Sequence, residues 1–458
     1  MSKTSFFRTV AAIAVPVGLQ SMLQSSFSMV DQLMVGQLGS TAVAAIEVAG
    51  RPAFICTVAS GAMAAAAGIM ISQYLGMGDR EMADKSLSVN LAAAAALAGV
   101  FMAVCLLFPE QIVRVFIKDD PAVLVPGRDY LVRISWTYLP MGLASILSVM
   151  IRCMDRAVWP LAAGVTSAAV NTALNYVLIF GRLGFPAMGV AGAALASVIS
   201  QLVNLLLILL LFRRVREGRA FRLSLSLGPA VRRQYLRMLL PILANEFLWG
   251  VSQNVNTFIY GHIGTGDLAA MSMTGPVQGL FIGAMSGVSQ AAGILVGKRL
   301  GAGDRREAYQ ISKKLMGYGF AGSLILSLAL TALRGPYVRL YNVEPETRAA
   351  ASLLLFIFAV LAPVKVANMI LAGGILRSGG RTGCILSIEM SVTWLVGVPL
   401  GLVTAFVLRM PIQWVYFLLS QEELVRLIIA GLWFRSRRWM ASFSGQEGER
   451  GCERSAAR

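Results

Sequence analysis

The chain has 458 residues, of which 57% are hydrophobic and 14% charged, and its mean hydropathy is +0.69. A soluble domain carries about 25% charged residues, so this composition excludes a water-soluble globule and indicates a membrane protein. In so apolar a chain the net charge of +17 reads as the basic bias of cytoplasmic loops, and no nucleic-acid partner is expected.

At ~20 residues per spanning helix, apolar runs bounded by charges or Gly/Pro clusters predict twelve helices. In chain order they cover 10–34, 42–73, 86–108, 127–150, 159–180, 189–212, 236–260, 268–297, 315–333, 349–374, 383–408 and 412–434. If the N-terminus is cytoplasmic, most of the 40 Lys and Arg fall in inside segments, including eight Arg between Arg213 and Arg237 and six in the tail. That asymmetry predicts both termini in the cytoplasm. The N-terminal MSKTSFFRTV runs into a segment with polar interruptions, so no cleavable signal is expected. The polar stretch after the sixth span divides the chain into an N-terminal six-helix lobe (1–212), a cytoplasmic linker (213–235), a C-terminal six-helix lobe (236–434) and a cytoplasmic tail (435–458).

Sliding the chain on itself by 225 residues brings Pro16 onto Pro241, Gly36 onto Gly261, Gly68 onto Gly293, and Arg152 and Arg156 onto Arg377 and Arg381. LGMGDR at 75–80 lands on LGAGDR at 300–305. The chain therefore reads as two copies of a six-helix unit. Because six is even, both copies insert the same way up. The expected fold is an all-α membrane protein of twelve transmembrane helices in two parallel six-helix repeats around a central cavity. Substrate sites of such folds lie near the midplane.

An ionisable group at bilayer depth costs about 2.5–3.5 kcal/mol on insertion scales and is kept where it has a partner, a cavity or a function. On the first helix Gln20, Gln24, Ser28 and Asp31 recur along one narrow stripe. Asp31 either exchanges a proton for a cation as its surroundings change or bonds to a helix end near Gly36. On the seventh helix Glu246, Trp249, Gln253 and Thr257 form a comparable stripe, with Glu246 either functional or snorkelling. The eleventh helix carries Glu389. Asn171 and Asn175, one turn apart on the fifth helix, either glue helices together or complete a network with Asp31. Lys365, deep in the tenth span, is a candidate counter-ion of Glu246 or Glu389. Glu47 with Arg51 and Glu422 with Arg426 read as structural i,i+4 pairs.

The five cysteines show no close pair and read as small apolar packing residues. One histidine, His262, in a predicted loop, excludes a His-based triad or metal cluster. With no nucleophile set beside a base, no enzymatic activity is expected, and no cofactor.

The stretch VDQLMVGQLGSTAVAA (30–45) resembles the first-helix signature of the multidrug and toxic compound extrusion (MATE) family. LGMGDREMADK, LGAGDRREAYQ, NTALNYVLIFGRLGFPAMGVAGAALAS (171–197), LPILANEFLW (240–249), ILRSGGRT (375–382) and IEMSVTWLVGVPLG (388–401) agree with it, so the resemblance spans about residues 10–440. It implies two six-helix lobes, alternating access through a central cavity, and export of organic, often cationic, compounds against inward flow of Na⁺ or H⁺. Asp31 matches the family's first-helix acid, with Asn171 and Asn175 at polar positions of the same network. Glu246 matches the seventh-helix acid, and Glu389 stands where many members have an Asp. The resemblance thus implies cation coupling at Asp31, Asn171, Asn175, Glu246 and Glu389, with Na⁺ at Asp31 or at Glu246 and Glu389 if sodium is the ion. The substrate would line up with Gln20, Gln24, Ser28, Trp249 and Gln253. RCMDR replaces the usual R-x-x-G turn after the fourth helix, and Arg381 replaces an acid in the RSGG-D-T turn.

A lipid-linked saccharide flippase would call for a more cationic cavity. A major-facilitator carrier would show a different inner-loop signature, although LGMGDREMADK overlaps it in part. The expected partners are membrane lipid and a small organic substrate. The chain is expected to work as a monomer, spanning the plasma (inner) membrane many times.

Overall fold

Lipid offers no hydrogen-bond partner to the backbone, so a chain this apolar must close its N–H and C=O groups within helices. The computed structural model describes residues 3–116, 121–215, 224, 228–341 and 343–441. Among them lie twelve helical rods, one for each predicted span. The N-terminal six are Lys3–Gly36, Ser40–Ala49 continued by Arg51–Met77, Arg80–Leu107, Pro121–Cys153, Val158–Phe180 and Val190–Val215. The C-terminal six are Pro229–Ile263, Thr265–Gly301, Arg305–Val338, Pro345–Leu376, Thr382–Val407, and Ile412–Leu419 continued by Glu422–Arg435. Of the linker and tail expected at 213–235 and 435–458, residues 216–223, 225–227 and 442–458 lie outside the described residues, and the seventh helix already begins at Pro229 within the expected linker.

Ten rods are long and apolar enough to cross a membrane by length and composition. The other two, the seventh and twelfth, carry Asn245, Glu246 and Asn254 or Glu422, Glu423 and Arg426.

Several helices outrun their apolar windows. The ninth begins at Arg305 because Asp304 caps it, its side chain accepting the Glu307 N–H at 2.8 Å. The tenth and eleventh widen into π turns over Met369–Leu376, Thr393–Gly397 and Val403–Val407. Pro399, which has no N–H to donate, lies between the last two. A short amphipathic helix, Pro109–Phe116, occupies a stretch read from sequence as a loop, with Pro at its start, Glu110 in its first turn and Arg114 in its last.

The repeated LGxGDR motif has a clear structural basis. Its second glycine, Gly78 or Gly303, ends the helix in the left-handed region at φ +78°, and its Asp precedes the next helix. Its first glycine permits a helix crossing: a side chain on Gly76 would strike the Lys298 carbonyl, and one on Gly301 the Gln73 carbonyl. The two copies of one sequence thus pack on each other in a reciprocal contact.

The chain divides into two compact units. One comprises Leu19–Ile71 and Arg80–Ala230; the other comprises Met1–Gly18, Ser72–Asp79 and Val231–Arg458. The packing boundaries differ from a division at residue 212 because the end of the second helix and the start of the first join the C-terminal half. Gly18 lies against the Ala284 carbonyl there, and Gly287 against that of Ala14. The first unit's core gathers Ala49, Cys56, Ala98, Cys105, Leu131 and Tyr138. Cys153 is also buried, but Cys384 is exposed, contrary to the packing role expected of every cysteine. His262 lies in the last turn of the seventh helix, not in a loop.

Replacing Gly301 by Val should overpack the crossing and lower stability by about 1–3 kcal/mol, whereas Gly317→Ala, where nothing lies within 4 Å, should not. Thermal unfolding in detergent compares the two, and equal stability of G301V and the parent would refute the crossing.

Candidate functional site

The first unit holds a polar network around Asp31, built from the first, fifth and sixth helices. Asn175 is fully buried, and its Nδ2 donates to the Asp31 carboxylate and to Asn171 Oδ1, the latter at 3.2 Å. Asn171 Nδ2 in turn faces the hydroxyls of Ser197 and Ser200 at 3.4 Å each, and Ser167 donates to the Ser200 carbonyl at 2.6 Å. Tyr130, from the fourth helix, lies within electrostatic reach of Asp31. Both readings left open for the fifth-helix amides are met: Asn175 bonds to Asp31, and Asn171 links the fifth helix to the sixth.

One atom of this network is unsatisfied. Asn175 places its nitrogen on two oxygens, and its own Oδ1 is buried without a hydrogen-bond partner. Burying an unmet polar atom costs about 1–3 kcal/mol. A carboxylate and an amide joined by one N–H···O bond lack only a proton to become a cyclic acid–amide pair, in which the acid O–H donates to the amide oxygen. A small cation bridging the two oxygens would meet the same need.

The rest of the first-helix stripe divides. Gln20 accepts from Arg152 Nη2 at 2.9 Å, while Gln24 and Ser28 are exposed. The seventh-helix stripe is likewise open: Trp249 is 48% exposed, and Gln253 and Thr257 are exposed. These side chains are accessible along their own helices.

The second unit contains the other two acids expected at a site. Glu246 accepts from Arg377 Nη1 at 3.1 Å, and Glu389 approaches Arg377 Nη2 at 3.9 Å. Arg377 therefore occupies the place expected of Lys365, whose electrostatic partners are instead Glu422 and Glu423. Assigned to a loop from sequence, Arg377 belongs to the end of the tenth helix, with a side chain only 14% exposed. Its repeat mate Arg152 does the equivalent on Gln20. The shared offset of Arg152 and Arg377 was the available signal, because loop charges need not keep register whereas a clasp must. Two carboxylates already sharing a guanidinium make a poor open seat for Na⁺. Glu47 and Arg51 pair at 2.8 Å, both well exposed, as a surface i,i+4 bridge.

Comparison with known proteins gives one consistent result. The MatE family profile matches residues 16–177 and 241–403, which are the two repeats. The chain is similar to the transporter YisQ of Bacillus subtilis (strain 168), with 23% identity over 93% of each chain. It is similar also to "Probable multidrug resistance protein NorM" of Rhizobium meliloti (strain 1021), with 28% identity over 89% of this chain and 87% of that one. Its fold is that of the Vibrio cholerae MATE transporter VcmN, with a TM-score of 0.86, 16% identity, and coverage of 95% of this chain and 99% of that one.

Substituting Arg377 by Met should leave Glu246 and Glu389 uncompensated and destabilise the protein by about 2 kcal/mol, less than the ~3–5 expected of a fully buried pair. Adding Glu246→Gln should recover part of that loss. Unfolding midpoints of parent, single and double variants check this, and strict additivity of the two substitutions would dismiss the clasp.

Proposed function

This chain belongs to the MatE family of multi-pass membrane transporters, and on that premise we propose that it is an antiporter exporting organic, cationic compounds in exchange for Na⁺ or H⁺. The observation that carries this reading is the Asp31–Asn175 pair: a carboxylate inside a spanning helix, hydrogen-bonded by an amide whose own oxygen is buried without a partner. A group so placed has two stable forms. With the ion absent, Asp31 is an anion held by Asn175 and able to attract a cationic substrate. With a proton or Na⁺ bound, its charge is cancelled, the orphan oxygen is satisfied and the attraction for the substrate falls.

Alternating access couples the two ligands through that competition. A ligand shifts a conformational equilibrium only by its differential affinity for the two states, so the ion and the substrate must favour different ones. Substrate taken up from the cytoplasm leaves on the outside when the ion arrives at Asp31, and the ion is released inward when the chain returns. Asn171, Ser197 and Ser200 hold Asn175 in register for this exchange. In the first unit exposed Gln24 and Ser28 offer amide and hydroxyl surface to an organic cation; in the second, Trp249 offers its indole face through cation–π attraction. Glu246 and Glu389, clasped by Arg377, serve the second unit as an internal ion pair, and the working unit is a monomer in the plasma membrane.

Asp31→Asn keeps the shape and a bond to Asn175 but loses the titratable charge, so the variant should insert and fold while losing gradient-driven efflux. Proteoliposomes loaded with a fluorescent organic cation, under an imposed pH gradient or separately an imposed Na⁺ gradient, test this and identify the ion. Undiminished coupled efflux by D31N would end the assignment.

A further inference from the structure

The twelfth helix carries a second carboxyl–amide pair that neither the sequence motifs nor the Asp31 site uses. The helix is interrupted between Leu419 and Glu422, and its second segment opens with Glu422 and Glu423. Interrupted spanning helices are where membrane transporters place ion sites, because helix ends there meet polar ligands. Glu423 is 6% exposed and Asn368, on the tenth helix, 4%. Asn368 Nδ2 donates to the Glu423 carbonyl at 2.7 Å and to Glu423 Oε2 at 2.8 Å. With its nitrogen on two oxygens the amide cannot be turned round, and Asn368 Oδ1 is left buried with no hydrogen-bond partner. The arrangement repeats that of Asp31 and Asn175, at positions the internal repeat does not relate.

The charges around the pair point to one missing positive charge. From its own helix, Arg426 bonds to Glu422 and Glu423 at 3.2 Å each, and reaches Thr393 Oγ1 on the eleventh helix at 2.8 Å. Lys365 on the tenth helix acts on Glu422, Glu423 and Tyr416, and Tyr416 bonds to Ser420 and to Gln278 of the eighth. Glu389 acts on Arg426 from the eleventh helix, where Trp394 Nε1 is also unpartnered, and extends the network to Arg377 and Glu246. Among the described residues, four carboxylates, Glu246 (31% exposed), Glu389, Glu422 and Glu423, thus face three bases, Lys365, Arg377 and Arg426. In a low-dielectric interior a residual negative charge is costly, and one proton removes it. Glu422 packs against the Gly397 backbone and has no amide beside it, so Glu423 is the acid with a waiting acceptor.

We propose that Glu423 and Asn368 form a second proton-exchange site. A hydronium ion gives its proton to the free carboxylate oxygen of Glu423, leaving water. The new O–H then donates to Asn368 Oδ1 and closes an acid–amide ring whose other bond is already present, and release reverses the step by returning the proton to water. The site's role in transport rests on the antiport reading, but its chemistry does not.

Infrared difference spectra of the purified full-length protein in nanodiscs, recorded between acidic and alkaline buffer, test the chemistry without any transport. A protonated-carboxyl C=O band that shifts in D₂O is expected, lost in Glu423→Gln and moved to higher frequency in Asn368→Leu, which removes its hydrogen bond. An E423Q spectrum identical to that of the parent overturns the proposal, as does a band abolished by Na⁺ at constant pH, which would reassign the oxygens to sodium. In proteoliposomes under a pH gradient, E423Q should bind substrate yet lose efflux; full efflux by E423Q would make the proton structural and overturn its part in exchange. If E423Q does not fold, N368L supplies both readouts, its expected result being the shifted band with impaired efflux and its contrary result an unchanged band. Should the parent itself show no ion-driven efflux, the antiport reading fails while the infrared result stands on its own.

Discussion

A polar atom buried among spanning helices has only the protein to satisfy it. Each carboxylate must therefore find an arginine, an amide or a proton. This constraint accounts for the partners of five acids among the described residues: Asp31 is held by Asn175, Glu246 and Glu389 by Arg377, and Glu422 and Glu423 by Arg426. It also distinguishes two kinds of partner. An arginine neutralises permanently, because its guanidinium does not lose its proton in proteins. An amide neutralises nothing, so the acid it holds keeps a charge that an arriving ion can cancel.

The two repeats meet this constraint with related but diverged parts. In each, an arginine at the end of the fourth helix reaches the first helix of the same repeat, Arg152 to Gln20 and Arg377 to Glu246. The repeat mate of Gln20 is Asn245, and the arginine of the second repeat reaches its neighbour Glu246 instead, so a charged hydrogen bond in one repeat is an ion pair in the other. The ion pair ties that acid down, and the second repeat's other buried acid–amide contact lies on the interrupted last helix, where Glu423 is bonded by both Asn368 and Arg426. The repeated LGxGDR motif changed far less, because a close crossing leaves room for neither copy to vary.

Much of the fold was legible in the residues. Every predicted span corresponds to a rod, since a helix of ~20 apolar residues has one way to satisfy its backbone in lipid. The site was legible only in part. Asp31 and Asn175 stand out because a charge and an amide are conspicuous in apolar helices. Arg377 did not, lying one turn inside the boundary where hydropathy sees a loop, and Lys365 was assigned the wrong acids because a span's sequence does not say which neighbour it faces. Asn368 and Glu423 carried no signal of their own in the sequence, where only the i,i+4 spacing of Glu422 and Arg426 stood out.

Composition, periodicity and the internal repeat by themselves determined that this is a twelve-helix membrane protein built from two copies of one unit, and which few polar residues its spans contain. These are properties of single segments in a known solvent. Partnership was decided only in the tertiary structure: which acid received an arginine and which an amide, and which amide oxygens were left over. Residues 144 positions apart, such as Asp31 and Asn175, meet through packing whose register depends on every intervening side chain, and no local pattern encodes it.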